Sequence, residues 1–139
     1  MPNSKSRFAC LIDWTFANQN ATMMSIPGAH PVFAAPEVKK GIRPYTAHID
    51  VYSFGKMLLA MLACTTQKNV ILNNAFPSDF PETAKKLVER TTNETSPRER
   101  GLFSDIKKSK FFGNAAFGDE MNVSAISFQL LVDDAKGTR

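Results

Sequence analysis

Apolar positions along the chain mark one segment with the length of a strand and one with the length of a long helix. Residues 8–12 form an apolar run that ends at Asp13, which predicts a short buried strand that delivers a carboxylate. In residues 45–64, apolar side chains fall almost all the way round a helix, and Thr46 is a candidate cap. That distribution predicts a central buried helix around which the rest of the domain packs.

Later segments keep helical spacing but are shorter. A polar connection that contains Asn73, Asn74, Pro77 and Ser78 precedes Pro81, which suits a first helical turn. The next helix is amphipathic, with Ala84, Leu87 and Val88 facing inward and Lys85, Lys86 and Glu89 facing outward. Apolar positions then predict one more short helix, with Leu102, Phe103, Ile106, Phe111 and Phe112, and a terminal helix at 123–132.

Between the first strand and the central helix, the sequence predicts a long loop. Prolines at 27, 31, 36 and 44, together with Gly28 and Gly41, exclude a long helix or a central strand there. Long loops inside compact domains often carry function. This segment is therefore the first place in the chain to search for chemistry.

Composition changes this picture little. The chain of 139 residues is 43% hydrophobic and 22% charged, which fits one globular domain. Its longest apolar run, 57–64, is far shorter than the roughly 20 residues that cross a bilayer, and 8–12 is too short for a signal-peptide core. We therefore expect neither a membrane partner nor secretion.

The cysteines and the charge indicate an intracellular protein that does not bind nucleic acid. Cys10 and Cys64 are too few for a disulfide scaffold, so we expect buried free thiols in a cytoplasmic protein. The net charge of +4 comes from the first half of the chain. Its loop cations, Lys39, Lys40 and Arg43, lack the interleaved aromatic residues of a nucleic-acid surface, although they could attract an acidic partner.

Four short motifs carry a resemblance to a known family. They are Leu-Ile-Asp-Trp-Thr-Phe-Ala at 11–17, Ala-Pro-Glu at 35–37, Tyr-Thr-Ala-His-Ile-Asp-Val-Tyr-Ser-Phe-Gly at 45–55 and Ser-Pro-Arg-Glu-Arg at 96–100. In this order and at these spacings the chain resembles a protein kinase of the Ser/Thr type, from its metal-binding Asp and activation segment onward. The resemblance covers roughly residues 8–112.

The resemblance implies a fold. It is a mainly α, partial kinase-like C-terminal lobe at 8–112, built round the central buried helix, with a short N-terminal strand and a long activation-segment-like loop. Residues 113–139 would be a C-terminal extension with one further helix.

The resemblance also implies roles for single residues. Asp13 would hold Mg²⁺ on the nucleotide phosphates, because a hard cation prefers ionised oxygen ligands. Trp14 and Thr15 follow it where the family usually has Phe and Gly, and a second reading, a strand-end carboxylate that caps a turn, stays open. Glu37 and Arg100 would form the buried ion pair that ties the activation segment to the back of the lobe.

Four further positions have roles that the same resemblance implies. Asp50 would accept backbone donors of the catalytic loop. Thr22 and Ser25 are candidate phosphosites in the activation segment, or merely solvated hydroxyls. His30 stands before Pro31 where such kinases usually have Thr, and it is either a titrating group or an ordinary surface or packing residue.

Three hypotheses follow. This sequence contains no Gly-rich loop, small-lobe Lys or His-Arg-Asp loop that resembles those of a kinase. We therefore expect no catalytic residue and no bound cofactor in the isolated chain. The first hypothesis is a kinase fragment that uses ATP and Mg²⁺ only when a complementary kinase segment completes it. The alternative is a non-catalytic, pseudokinase-like module that docks on a kinase or its substrate. A third is a truncated product without a stable fold, whose uncovered face would drive aggregation.

Overall fold

The computed structural model describes residue 17 and residues 22–24 and 28–113, and this part of the chain is mainly α-helical. The elements in chain order are β1 (Thr22–Met23), α1 (Pro36–Lys39), β2 (Tyr45–Thr46), α2 (His48–Leu62), α3 (Lys68–Leu72), α4 (Glu82–Thr91), a 3₁₀ turn (Pro97–Arg100) and α5 (Phe103–Ile106). The two strands pair antiparallel, with Thr22 opposite Thr46 and Met23 opposite Tyr45. The mainly α class expected from the sequence is confirmed.

Several expectations fall on residues that are not described. They are the strand at 8–12, the helix at 123–132 and, apart from Gly113, the extension. No helix in the described part is long and apolar enough to cross a membrane. The cytoplasmic location stays a prediction.

The central helix begins later than its apolar pattern predicts. Tyr45 and Thr46 pair with β1, so α2 starts at His48 and its N-cap is Ala47, which gives no side-chain cap. The expectation that Thr46 caps the helix is therefore wrong, because its hydroxyl oxygen lies 2.8 Å from Nδ1 of His48 instead. Beyond the other end of the helix, Cys64 adopts a left-handed φ of 47° and is exposed, so its predicted burial is also wrong.

The core forms where α2 crosses α4. Val51, Leu58 and Leu59 of α2 pack with Leu87 and Val88 of α4, and Ile106 of α5 completes this buried cluster. Burial of each such side chain stabilises the fold by roughly 1.5–3 kcal/mol. The inward-facing set predicted for α4 is confirmed by this cluster and by buried Ala84.

Gly55 allows the two helices to approach closely. A Cβ at this position would collide with Oγ1 of Thr91 and would lie 2.8 Å from Cγ2 of Thr92. Both threonine hydroxyls donate back to carbonyls of their own helix, Thr91 to Leu87 at 2.8 Å and Thr92 to Val88 at 2.7 Å. The polar end of α4 can therefore pack against α2 without leaving a hydroxyl unsatisfied.

One face of α2 is left uncovered, although the apolar pattern predicts burial all round. Asp50, Met57 and Met61 are exposed and recur at offsets of seven and four residues, so they lie on one helix face. Phe54, on the same side of the helix, is half-buried against the core cluster and contacts Phe103 of α5 edge to face at 5.7 Å. Met57 and Met61 remain 45% and 63% exposed. We call Asp50, Met57 and Met61 the open face.

A buried lysine fixes α3, a helix that the sequence pattern did not predict. Lys56 is 1% exposed, and its ammonium group donates to the carbonyls of Ile71 and Leu72, both at 3.0 Å, and to Oδ1 of Asn74 at 2.8 Å. The amide of Asn74 in turn donates to Thr92 Oγ1 at 2.8 Å. All three ammonium hydrogens are used, and the network joins α2, α3 and α4.

The burial of Lys56 predicts an unusual alkaline response. Burial lowers the pKa of its ammonium group from 10.5 to about 8, so between these values the unfolded chain binds more protons than the folded one. The free energy of unfolding should therefore rise as the pH increases from 8 to 10, by up to about 3 kcal/mol relative to a Lys56→Met variant. Urea unfolding of both proteins across this range measures the difference.

The control for this experiment is Lys108→Met, which removes an exposed lysine. It should keep the alkaline rise of the parent chain. A Lys56→Met protein with the same alkaline slope as the parent would show that the buried ammonium group keeps an ordinary pKa.

Candidate functional site

The described residues of the candidate site centre on Arg100, whose side chain is fully buried. Its Nη1 and Nη2 donate to the two carboxylate oxygens of Glu37, the second at 2.9 Å. Nη1 also donates to the carbonyl of His48 at 3.2 Å, and Nε donates to the carbonyl of Asn93 at 2.7 Å. One guanidinium group therefore joins α1, the start of α2 and the loop after α4.

Tyr52 lies beneath this guanidinium group. The Arg100 Cζ is 5.0 Å from the centre of the Tyr52 ring, within the range of a cation–π contact. The Tyr52 hydroxyl donates to Oε1 of Glu94 at 3.3 Å. Burial, reinforced by that carboxylate, raises the pKa of Tyr52 well above its usual value, so the phenol stays protonated.

Glu37 compensates the buried charge of Arg100. Burial by itself would raise the pKa of Glu37, but hydrogen bonding and the positive charge of Arg100 outweigh it and hold the pKa below 4.5. The bidentate geometry fixes the orientation of α1 as well as neutralising the charge. Removing Glu37 would strand the charge of Arg100, whose side chain water cannot reach.

His30 organises the backbone just before α1. Its Nδ1 accepts hydrogen bonds from the N–H groups of Val32 at 3.2 Å and Phe33 at 3.3 Å, and its ring lies 5.0 Å from that of Phe33. The carbonyl of Phe33 then accepts from the hydroxyl of Ser53 on α2 at 3.0 Å. In this structure His30 acts as an acceptor for a turn, and this turn is fastened to α2.

Asp50 has a different setting from Glu37. It is exposed and lines a shallow groove of about 180 Å³ together with Gly28, His30 and Ser53. No described residue donates a hydrogen bond to its carboxylate, and partial burial raises its pKa above 3.8. Asp50 is therefore an acceptor without a donor in the described part of the chain, at the start of the open face.

The remaining predicted site residues can be placed only in part. Asp13 and Ser25 lie outside the described residues, and for Thr22 the structure gives the backbone pairing of β1 alone. Within the described residues, no group of three or more His, Cys, Asp or Glu side chains could hold a metal ion. The structure brings Glu37 and Arg100 together and leaves Asp50 and His30 beside a separate groove.

Sequence reasoning missed Lys56, Tyr52 and Asn93. A lysine within an otherwise apolar helix is a signal that could have found Lys56, because a buried ammonium group requires several acceptors. Nothing in the sequence indicates that the Asn93 carbonyl accepts from Arg100, since that contact depends on how the loop closes.

Sequence similarity to a curated protein bears on the interpretation of the site. The chain is 30% identical over 110 residues to a probable serine/threonine-protein kinase of Dictyostelium discoideum. The match covers 69% of this chain and 26% of that protein, so the chain spans about a quarter of the relative's length. No protein-family model matches the chain. The similarity supports a kinase-like sequence and does not establish an activity.

The Glu37–Arg100 pair predicts a pH-dependent loss of stability. Because the folded pKa of Glu37 is lowered, its contribution is present above pH 4.5 and disappears as the pH falls through the folded value. Glu37→Gln should lower the free energy of unfolding at pH 7 by about 3 kcal/mol, since Arg100 keeps its buried charge. That deficit should shrink below pH 4.5, as denaturant unfolding at several pH values would measure.

Glu82→Gln is the matched control, because Glu82 pairs with Lys86 at 3.8 Å on an exposed helix surface. This variant should lower the free energy of unfolding by less than about 1 kcal/mol at pH 7. Equal effects of the two substitutions, or a Glu37→Gln deficit that does not change with pH, would contradict the account of the pair.

Proposed function

We propose that residues 8–112 are part of the C-terminal lobe of a Ser/Thr protein kinase and contribute to ATP-dependent phosphoryl transfer only when a complementary segment is bound. The observation that carries the proposal is the Glu37–Arg100 pair, which joins the Ala-Pro-Glu motif to the Ser-Pro-Arg-Glu-Arg motif across 63 positions of sequence. Two motifs that resemble one family in order thus also meet in space. The similarity to the Dictyostelium protein supports the same proposal.

The open face supports the proposal that the lobe requires a complementary segment. Met57 and Met61 expose apolar surface on a helix whose other residues form the core, and Asp50 offers an acceptor at the same face. A segment that buries the two methionines and donates backbone hydrogen bonds to Asp50 would satisfy both features. In a kinase, the catalytic loop would supply such donors.

Within this proposal, each residue has a limited role. Asp13 would hold Mg²⁺ on ATP, and Thr22 or Ser25 would be a phosphosite of the activation segment. Glu37, Arg100 and Asp50 would position the lobe without contacting the transferred phosphoryl group. The catalytic base, the nucleotide loop and the small-lobe lysine would come from the complementary segment.

The second candidate is a pseudokinase-like module that docks on a kinase or its substrate. The observation that favours it is an exposed segment at the end of α1, the basic loop, in which Lys39, Lys40 and Arg43 flank Ile42 in sequence and Ile42 is 57% exposed. Cations around an exposed apolar side chain suit an acidic protein partner.

Two matched substitutions separate the candidates. Met61→Glu introduces a charge on the open face, and Ile42→Glu introduces the same charge at similar exposure in the basic loop. The full chain would be mixed with a protein-kinase segment that carries its Gly-rich loop, small-lobe Lys and catalytic loop. Co-elution in size-exclusion chromatography and transfer of labelled phosphate from ATP to a basic protein are measured.

The kinase-fragment proposal predicts that the mixture assembles and transfers phosphate, whereas neither protein transfers phosphate alone. Assembly and transfer should both be lost in Met61→Glu and both be kept in Ile42→Glu. Asp13→Ala should abolish transfer while assembly persists. Transfer that survives Asp13→Ala would overturn the metal role. Assembly without transfer, sensitive to Ile42→Glu rather than to Met61→Glu, would favour the docking module instead.

A further inference from the structure

An open groove of about 360 Å³ lies between the segment that enters α2 and the segment that enters the 3₁₀ turn. Its volume falls within the range of roughly 300–1,000 Å³ that is typical of ligand sites. Neither the open face nor the groove beside Asp50 shares a residue with it. The residues that line it are Pro44, Thr46, His48, Thr95, Ser96, Pro97 and Arg98.

Both walls of this groove are held in place by Arg100. Its Nη1 donates to the carbonyl of His48 in one wall, and its Nε donates to the carbonyl of Asn93, which supports the other. The side-chain oxygen of Asn93 then accepts from the N–H groups of Thr95 at 3.0 Å and Ser96 at 2.9 Å. A ligand would therefore meet walls that are already ordered, which lowers the cost of binding.

The chemistry of the lining favours an anion. Arg98 contributes a guanidinium group, His48 an imidazole ring and Ser96 a hydroxyl, and none of the described residues that line the groove carries a carboxylate. The two glutamates of the same loop are engaged elsewhere, Glu94 with the Tyr52 hydroxyl and Glu99 with the Asn93 amide at 3.0 Å.

The histidine has a free donor in one tautomer. When the Thr46 hydroxyl donates to Nδ1 of His48 across their 2.8 Å contact, the proton of the neutral ring lies on Nε2. That N–H is then available to a ligand in the groove, which Arg98 also lines. The guanidinium group of an arginine, together with a neutral N–H donor, is well suited to bind the oxygens of a phosphoryl group.

We propose that this groove binds the phosphoryl group of a phosphorylated, acidic peptide segment of a partner protein. Arg98 pairs with two phosphoryl oxygens, and His48 and Ser96 donate to the group from the two walls. A peptide suits the groove better than a nucleic acid, because the described residues that line it include no Phe, Tyr or Trp to stack on successive bases and only one Arg to follow a phosphate backbone. The proposal does not depend on kinase activity or on a complementary segment.

The test is calorimetric titration of the full chain with an acidic octapeptide that carries one phosphoserine. Arg98→Gln should raise the dissociation constant by about tenfold or more, because it removes a charge-assisted bidentate contact. Lys108→Gln removes the same charge from an exposed position that does not line the groove and should change the constant by less than about twofold. His48→Ala should weaken binding in the same direction as Arg98→Gln.

The competing ligands are tested in the same titration. The unphosphorylated octapeptide should bind more weakly than the phosphopeptide, and inorganic phosphate should compete only at much higher concentration. Equal losses in Arg98→Gln and Lys108→Gln, or no preference for the phosphopeptide, would overturn the proposal. Inorganic phosphate that binds as tightly as the peptide would overturn its peptide part, and tighter binding of a single-stranded oligonucleotide would overturn the choice of ligand.

Discussion

The structure depends on the need to satisfy one fully buried guanidinium group. Arg100 carries a charge that the interior tolerates only if acceptors surround it, and those acceptors come from Glu37, His48 and Asn93. They belong to three separate segments of the chain. A single charged side chain therefore sets the relative positions of α1, the start of α2 and the loop after α4.

The same principle recurs at Lys56. The ammonium group takes three acceptors from the end of α3 and from Asn74, so a short helix with only one buried apolar residue, Ile71, is positioned mainly by polar contacts. The apolar core, by contrast, lies between α2 and α4, where Gly55 permits a close crossing. The described part of the fold thus combines an apolar core with two buried cations, Arg100 and Lys56, that donate hydrogen bonds to acceptors within the protein.

The periodic parts of the fold could be predicted from the sequence, whereas the parts decided by tertiary contacts could not. The spacing of Ala84, Leu87 and Val88 was sufficient to orient α4, because an amphipathic helix has one apolar face. The same reasoning failed for α2, since its apolar residues are spread round the axis and the pattern cannot tell that Met61 stays exposed. Strand pairing at Tyr45 and the three acceptors of Lys56 involve groups that are distant in sequence, which no local pattern reveals.

The central claim, that Arg100 holds three separate segments together, is tested most directly by amide hydrogen exchange in Arg100→Lys. This variant keeps the positive charge and loses the bidentate fork. The account predicts that protection falls together at Ile42, at Asp50 and at Ser96, whose N–H groups bond within those segments, while the α4 amide of Thr92 stays protected. Loss of protection confined to residues 97–101, or an equal loss at Thr92, would contradict it.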